Sequence, residues 1–325
     1  GIGQVMAELV EFLSGGNLMV MLLLVALISL ILGMALPTTA NYIVVSSLMA
    51  GVVVQLGAQE GLIVPLIAVH LFVFYFGIMA DVTPPVGLAS FAAAAVSGGD
   101  PIKTGFVAFF YSMRTVLLPF LFIFNTDLLL IDVGWIDGIF IFIVATAAML
   151  VFAAGTQGYF FARSKIYESV VLILIAFTLF RPGFWLDMVW APYEQKNPVG
   201  LTELVGNMPA DAKLRIKVMG ENLTTGKIDE KFVELPLGDA DSDGVSRLEN
   251  NVGLTLRVED EKVIVDQVGF DSPAAKAKID FDWQIVMVEL PNDRLPKEVF
   301  WIPALGLLGL IIVVQRRRRK IEEGA

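Results

Sequence analysis

Long apolar runs alternate with short polar breaks through the first half of the chain, and the pattern then changes period. Residues 1–16 form an amphipathic lead-in that ends at Ser14-Gly15-Gly16. Asn17 to about Leu32 is almost wholly apolar, and Tyr42–Leu56 is apolar again. Together, 17–56 is too long for one bilayer crossing of about 20 residues. The pattern predicts a hairpin, re-entrant or fully spanning, with GMALPTT at its tip. A short loop, Gly57–Gly61, leads to an apolar segment over Leu62–Met79. DVTPPVG interrupts it, and Leu88–Val96 resumes with small residues. Among these Ala92–Ala95 allow close helix approach inside a bilayer. SGGDP at 97–101 reads as a loop and a helix start, with Asp100 as N-cap and Pro101 at the first helical position. Further spans are predicted over 104–124, 138–161 and 167–180, and a last one over Val299–Val314. Between about 184 and 298 the apolar residues alternate (LRIKVMG, VIVDQV, IVMVEL), the period of strands. A soluble, strand-rich domain is expected there.

Composition agrees with this pattern. The 325 residues are 56% hydrophobic and 17% charged, with a mean hydropathy of +0.73, which is membrane composition. The net charge of −10 weighs against nucleic acid as a partner. With no cysteine, disulfides, thiolate catalysis and Cys-ligated metal sites are excluded. A single histidine, His70, excludes His-rich metal sites and the HExxH motif. No enzyme chemistry and no cofactor are expected. The chain begins GIGQVMAELV without a start methionine or a signal-peptide pattern, so it is expected to be the C-terminal part of a longer protein.

Charge placement predicts topology. Lys103 and the Arg163/Lys165 loop fall on one side of the membrane, and the acidic loop 125–137 on the other. The basic side is cytoplasmic by the positive-inside rule. The span at 167–180 then exits, which puts 184–298 outside the cytoplasmic (inner) membrane. The basic run at 316–320 anchors a cytoplasmic tail.

The two breaks carry the candidate chemistry. Irregular backbone survives at membrane depth only when buried in protein or lining a cavity, and paired breaks point to an ion and substrate site. Gly33, Pro37, Thr38 and Thr39 form one half of that candidate site; Thr83, Pro84, Pro85 and Gly87 form the other. Unwound carbonyls and Thr hydroxyls supply hard oxygen ligands for sodium, Pro removes donors, and Gly permits close approach. Asp81 abuts the second break, where an acid could bind a cation, orient the backbone, or cap the next segment from the interface. Arg114, midway along 104–124, is a candidate anion contact, with snorkelling or a structural pair as the alternatives. For His70 a hydrogen-bonded structural role is preferred over a proton relay.

GMALPTTANY, DVTPPVG and SGGDPIKTG resemble the large membrane subunit of TRAP (tripartite ATP-independent periplasmic) transporters, and more narrowly the fused-permease branch served by TAXI-type binding proteins. The resemblance covers roughly residues 1–183. It implies sodium-coupled uptake of a small organic acid anion delivered by a periplasmic TAXI-type binding protein, by an elevator mechanism. It also implies inverted repeats, with the first half and a small-subunit-like region upstream of Gly1. The fold class that follows is an α-helical polytopic membrane protein with broken helices and hairpins. To this are added a soluble domain over 184–298, and a final helix and basic tail over 299–325.

In the soluble domain, the stretch from Gly253 to Leu290 resembles a PDZ domain, which places the PDZ-like part at about 250–290. Gly253-Leu254-Thr255-Leu256 stands as the carboxylate-binding loop, and Ser272–Ala277 opens a short helix. Lys278 sits where that family has Gly, and Phe281-Asp282 replaces Gly-Asp, so a structural or docking module is preferred over peptide capture. DADSDGVSRLEN at 239–250 nearly matches a calcium loop. Asp239, Asp241, Asp243 and Gly244 fit positions one, three, five and six, but position twelve is Asn250, with Glu249 one residue early. A solvated acidic turn is the preferred reading. Two other functions compete with transport: an intramembrane protease, for which the catalytic motifs are missing, and a membrane-anchored PDZ-like scaffold, which needs no broken helices.

Overall fold

The computed structural model describes residues 2–84, 86–131, 133–222, 226, 228–240 and 243–323, without the side chains of 2–4, 6, 7, 114, 322 and 323. The chain divides into two compact units. One holds Gly1–Val54, Val64–Trp190 and Leu295–Ala325; the other holds Gln55–Ile63 and Ala191–Arg294.

The first unit is helical. Helix α1 (Ile2–Ser14) ends at Gly15 and Gly16, both left-handed. Asn17 caps α2 (Leu18–Ala35) by accepting from Val20 N at 3.1 Å. Pro37 lacks an N–H and disfavours helix at the residue before it. Leu36 is accordingly extended (φ −118°, ψ 147°), and α3 (Thr38–Gln59) starts afresh. The first break is therefore narrower than the sequence suggests. Gly33 is inside α2 and Thr38 and Thr39 open α3, so only Leu36-Pro37 is irregular.

Helix α4 (Leu66–Met79) starts after Pro65, later than the apolar run implies. A tight turn at Ala80–Val82, an extended Thr83 before Pro84, and a left-handed Gly87 then lead into α5 (Leu88–Ser97). The second break has the expected extent. Helix α6 (Pro101–Tyr111) is capped by Asp100, which accepts from Lys103 N at 2.9 Å, with Pro101 at its first position as predicted. Ser112 interrupts the helix between α6 and α7 (Met113–Phe124), and the two together make one span over Pro101–Phe124, as the sequence predicts for 104–124. Helices α8 (Trp135–Gln157) and α9 (Ile166–Phe180) form a hairpin. Gly155 makes it tight, because a methyl there would lie 3.0 Å from Ile173 and 3.1 Å from Ser169 O. After Phe180 the chain bends by 84° into α10 (Gly183–Val189).

The second unit contains one antiparallel sheet. Strand β1 (Tyr193–Lys196) precedes α11 (Leu201–Gly206), followed by β2 (Lys213–Glu221) and β3 (Ile228–Pro236). A short helix α12 (Gly244–Ser246) widens into a looser turn at Arg247–Val252. Strands β4 (Leu254–Glu259) and β5 (Lys262–Val268), the single turn α13 (Pro273–Lys276) and β6 (Gln284–Pro291) complete it. The order is β3-β2-β6-β5-β4, with β1 also on β6. The alternation read from the sequence is the inward face: Leu214, Ile216, Val218, Val263, Val265, Ile285 and Val288 are buried together with Trp283. Gln55–Ile63 belongs to this unit. Arg215 donates to Gly61 O and is held by Glu289 (2.6 Å) and Glu234 (3.2 Å), while Gln59 reaches Asp229 at 3.3 Å.

The last helix, α14 (Trp301–Glu323), returns to the first unit and packs Ala304 and Ile311 against α8 and α9. It runs on as helix through the basic run. Its amide Gln315, fully buried, accepts from Phe161 N (3.1 Å) and Ala162 N (3.3 Å) and donates to Ser164 Oγ (3.0 Å) and Glu168 Oε2 (2.9 Å). Arg318 grips Glu168 with both terminal nitrogens at 2.9 and 2.8 Å. At the opposite end, Asn125 donates to Phe180 O (2.6 Å) and Lys297 to Asp127 (2.6 Å). One end of the bundle thus gathers Arg163, Lys165 and the basic run, and the other Asp127 and Asp137.

A candidate ion and substrate site at two helix breaks

Both breaks lie in the first unit, and α2 brings them together. A methyl on Gly33 would come within 2.9 Å of Gly77 O, Ala80 Cβ and Asn41 Nδ2. Gly33 therefore allows α2, the start of α3 and the end of α4 to meet at one point. Because Pro37 has no N–H, the Gly33 carbonyl has no donor four residues on. Gly77 is equally confined, since a methyl there would lie 2.7 Å from Asn41 Nδ2.

Asn41 is the residue that sequence reasoning missed, although it lies inside GMALPTTANY. It is fully buried; its Nδ2 donates to Ser29 O at 2.9 Å, and its Oδ1 is buried without a hydrogen-bond partner. A buried amide oxygen left unpaired costs on the order of 1–3 kcal/mol. It is also a neutral hard ligand of the kind an alkali cation takes. A polar residue three positions after a helix-starting Thr in an apolar run was the available signal.

The predicted residues separate by environment. Thr83 is buried, and its Oγ1 donates to Met79 O at 2.6 Å, closing the end of α4. Gly87 is left-handed (φ 42°), and its carbonyl accepts from the buried Ser90 Oγ at 2.8 Å. Pro84 packs toward α6, where Gly105 leaves room: a methyl there would lie 3.2 Å from Pro84 Cγ. Thr38 is half-buried, whereas Pro37, Thr39 and Asp81 are exposed. Pro85, the Arg114 side chain and Asp241 lie outside the described residues. His70 Nδ1 meets Tyr42 Oη at 3.0 Å, joining α3 to α4.

In the second unit Asp243 caps α12 by accepting from Ser246 N at 3.2 Å, and hydrogen bonding from the Ser246 side chain first, and from its backbone N–H, holds the Asp243 carboxyl below the usual range. Gly244 lies so close to α11 that a methyl would collide with Thr202 O, so its glycine is required by packing. Arg247, also missed, is fully buried. It donates to five carbonyls: Val205 (2.8 Å), Met208 (2.7 Å), Pro209 (2.9 Å), Gly238 (3.3 Å) and Leu237 (3.4 Å). Gly253 (φ 80°) sits against Ser272, where a methyl would fall 2.2 Å from its Cβ. Beyond this glycine β4 is an edge strand.

Two turns of this unit carry strain. Lys278 (φ 55°) and Asp282 (φ 59°) both occupy the left-handed region that favours glycine. Lys231 holds the Lys278 turn, donating to Ala277 O (2.8 Å) and Lys278 O (3.0 Å) above the Trp283 ring. Burial pushes its ammonium below the usual lysine range against the pull of Asp229, and Lys278 pushes the same way. Lys278→Gly is expected to stabilise the domain by about 1 kcal/mol, read as a shift in the urea midpoint of hydrogen exchange in β2, β5 and β6. An unchanged or lower midpoint would show that the turn is unstrained.

Two family models match the chain. Residues 1–135 match the tripartite ATP-independent periplasmic transporter, DctM component. Residues 138–321 match a domain of unknown function (DUF3394). No curated protein and no solved structure matches.

Proposed function

Because the chain belongs to the DUF3394 family, whose model spans more than half of it, and carries a DctM segment over residues 1–135, we propose that it is the C-terminal part of a sodium-coupled TRAP permease. DctM is a transporter component, not an enzyme family. Five helices among the described residues are long and apolar enough to cross a membrane, or six counting the bent pair α9–α10, as a multi-pass membrane protein requires.

The permease takes up a small organic acid anion from a periplasmic TAXI-type binding protein, in the manner of an elevator, together with an upstream half and small-subunit-like region. The observation that carries the ion site is the meeting of the two breaks around Asn41 Oδ1, the buried oxygen with no donor. In this reading Asn41, the Gly33 carbonyl and the end of α4 near Thr83 hold sodium. Gly87, Pro84 and Asp81 shape the second break and Pro37, Thr38 and Thr39 the first; Pro85 and Arg114 stay in the proposed site on the sequence alone, Arg114 as the contact for the substrate anion. The misplaced acid at the end of the Asp239, Asp241, Asp243 run favours a solvated turn there over a calcium loop. The soluble domain is periplasmic and the tail cytoplasmic. The gathering of basic residues at the end of the bundle that holds Gln315 supports this placement.

The test is uptake into liposomes by the full permease with its binding protein, with and without an inward sodium gradient. Uptake should require sodium, and Asn41→Ala and Thr83→Ala should each raise the half-saturating sodium concentration about tenfold, the loss of roughly 1.4 kcal/mol. Thr39→Ala, at an exposed position, should change it little. Binding-protein-dependent uptake indifferent to sodium would overturn the coupling. No uptake with any matched binding protein would favour a membrane-anchored scaffold.

A further inference from the structure

The turn between α8 and α9 and the start of the basic run of α14 meet at one end of the first unit. The turn is closed by its own backbone. Gly158 is left-handed (φ 66°), Ser164 N donates to Gly158 O at 2.8 Å, and Phe160 N donates to Ala162 O at 3.2 Å. Gln315 and Arg318 fasten α14 to this turn and to Glu168, and Arg318 also donates to Arg163 O at 2.9 Å. Glu168 is the acid of the junction; it is buried and already paired with Arg318. Arg163, Lys165, Arg316 and Arg317 are exposed, and none of them pairs with a carboxylate among the described residues. Arg316 is also held in place. Its guanidinium lies 4.5 Å from the centroid of the Phe161 ring, and Phe160 backs that ring with centroids 4.7 Å apart.

Uncompensated cations gathered from two segments call for an anion. The depth of the junction says which kind. Helices α8 and α14 are each long and apolar enough to cross a membrane. The turn follows the end of one, and the basic run ends the apolar part of the other, so both lie at headgroup level. Beside the cations, Tyr159, Ile166 and Tyr167 are exposed, and such side chains suit the boundary between headgroups and hydrocarbon better than water. A phosphate diester that carries acyl chains meets both demands. We propose that this junction binds an anionic phospholipid, with its phosphate held by Arg316 and the cations of the turn and its first acyl carbons against Ile166 and Tyr167. The Phe161 ring fixes the guanidinium before the lipid arrives, so less side-chain freedom is lost when its N–H fork meets phosphate oxygens. Because Gln315 and Arg318 already fasten α14, the lipid is a second clamp between that helix and the hairpin. The inference needs only that these helices span a membrane, and it stands apart from the sodium coupling and the substrate.

Native mass spectrometry of the detergent-purified chain tests this, with phosphatidylglycerol or phosphatidylcholine added at equal concentration. Phosphatidylglycerol should be retained preferentially. Arg316→Gln and Arg163→Gln should each weaken its retention about fivefold, the contribution of one basic side chain at an anionic membrane surface. Phe161→Leu keeps every charge and removes only the ring beneath Arg316; it should weaken retention about threefold, the size of an exposed cation–π contact. Hydrogen exchange of α9 and α14 in each variant establishes that the junction is intact, since Glu168, Gln315 and Arg318 are unchanged. Equal retention of phosphatidylcholine would overturn the proposal, as would full retention of phosphatidylglycerol in both arginine variants. Full retention in Phe161→Leu would overturn the fixed site, because a loose gathering of positive charge would then suffice. Displacement by free glycerol phosphate at comparable concentration would overturn the lipid assignment, because the acyl chains would then contribute nothing.

Discussion

Arg247→Met is expected to destabilise the sheet unit by about 3 kcal/mol in an otherwise intact chain. Methionine matches the apolar stem of arginine but donates nothing. The guanidinium now donates to five carbonyls from three segments: the end of α11, the turn that follows it, and the chain just after β3. No carboxylate is among these partners, so nothing else in the group compensates when the donor is removed. Leaving even two of those buried carbonyls unpaired costs about 3 kcal/mol, a large part of the 5–15 kcal/mol typical of a domain. Hydrogen exchange in β2, β3 and β6 should accelerate by at least about a hundredfold, the exchange equivalent of that loss. Arg247→Lys should recover only part, because an ammonium offers three donors from one point where the guanidinium offers five in a plane. Native-like protection in the methionine variant would show that the carbonyls find other donors.

Glu168→Ala should free the last helix from the α8–α9 hairpin. Glu168 is 2% exposed, and its carboxylate takes hydrogen bonds from Lys165 N, Gln315 and both ends of the Arg318 fork. Removing one partner of a buried ion pair costs about 3–5 kcal/mol, because the other charge is left uncompensated. Arg318 retains some access to water, at 21% exposure, which places the expected loss near the lower figure of about 3 kcal/mol. Trypsin reads the result directly: cleavage in the basic run 316–320, blocked while Arg318 is engaged, should become fast. The double variant Glu168→Ala with Arg318→Leu should recover part of the protection. Unchanged cleavage in the single variant would show that Gln315 alone holds the helix.

The breaks were legible in the sequence because Pro and Gly act locally. Pro37 and Pro84 force the residues before them out of helix, wherever the rest of the chain goes. The width of the first break was overread for an equally local reason: Gly33 lies four residues before Pro37, so the helix continues to Ala35 and the irregular backbone is confined to Leu36-Pro37. The strands of the sheet unit were legible in their alternation. Asn41, Glu168, Gln315 and Arg247 were not, because their meaning lies in their partners. Glu168 depends on residues about 150 positions away, and Arg247 on main-chain oxygens that any residue supplies. Gly244 shows the opposite error, a motif position whose glycine serves the close passage of two backbones.

The pairing of Glu168 with Arg318 also sets an order of events during synthesis. The two are separated by 150 residues. At about 5–20 residues per second, roughly 10–30 s pass between the appearance of one and of the other. Throughout that interval the newborn hairpin carries an acid with no basic partner, and the sheet domain has been made before its second tether exists. A stalled or truncated chain ending before residue 301 would remain in that half-built condition, with the Glu168 carboxylate lacking its Arg318 partner.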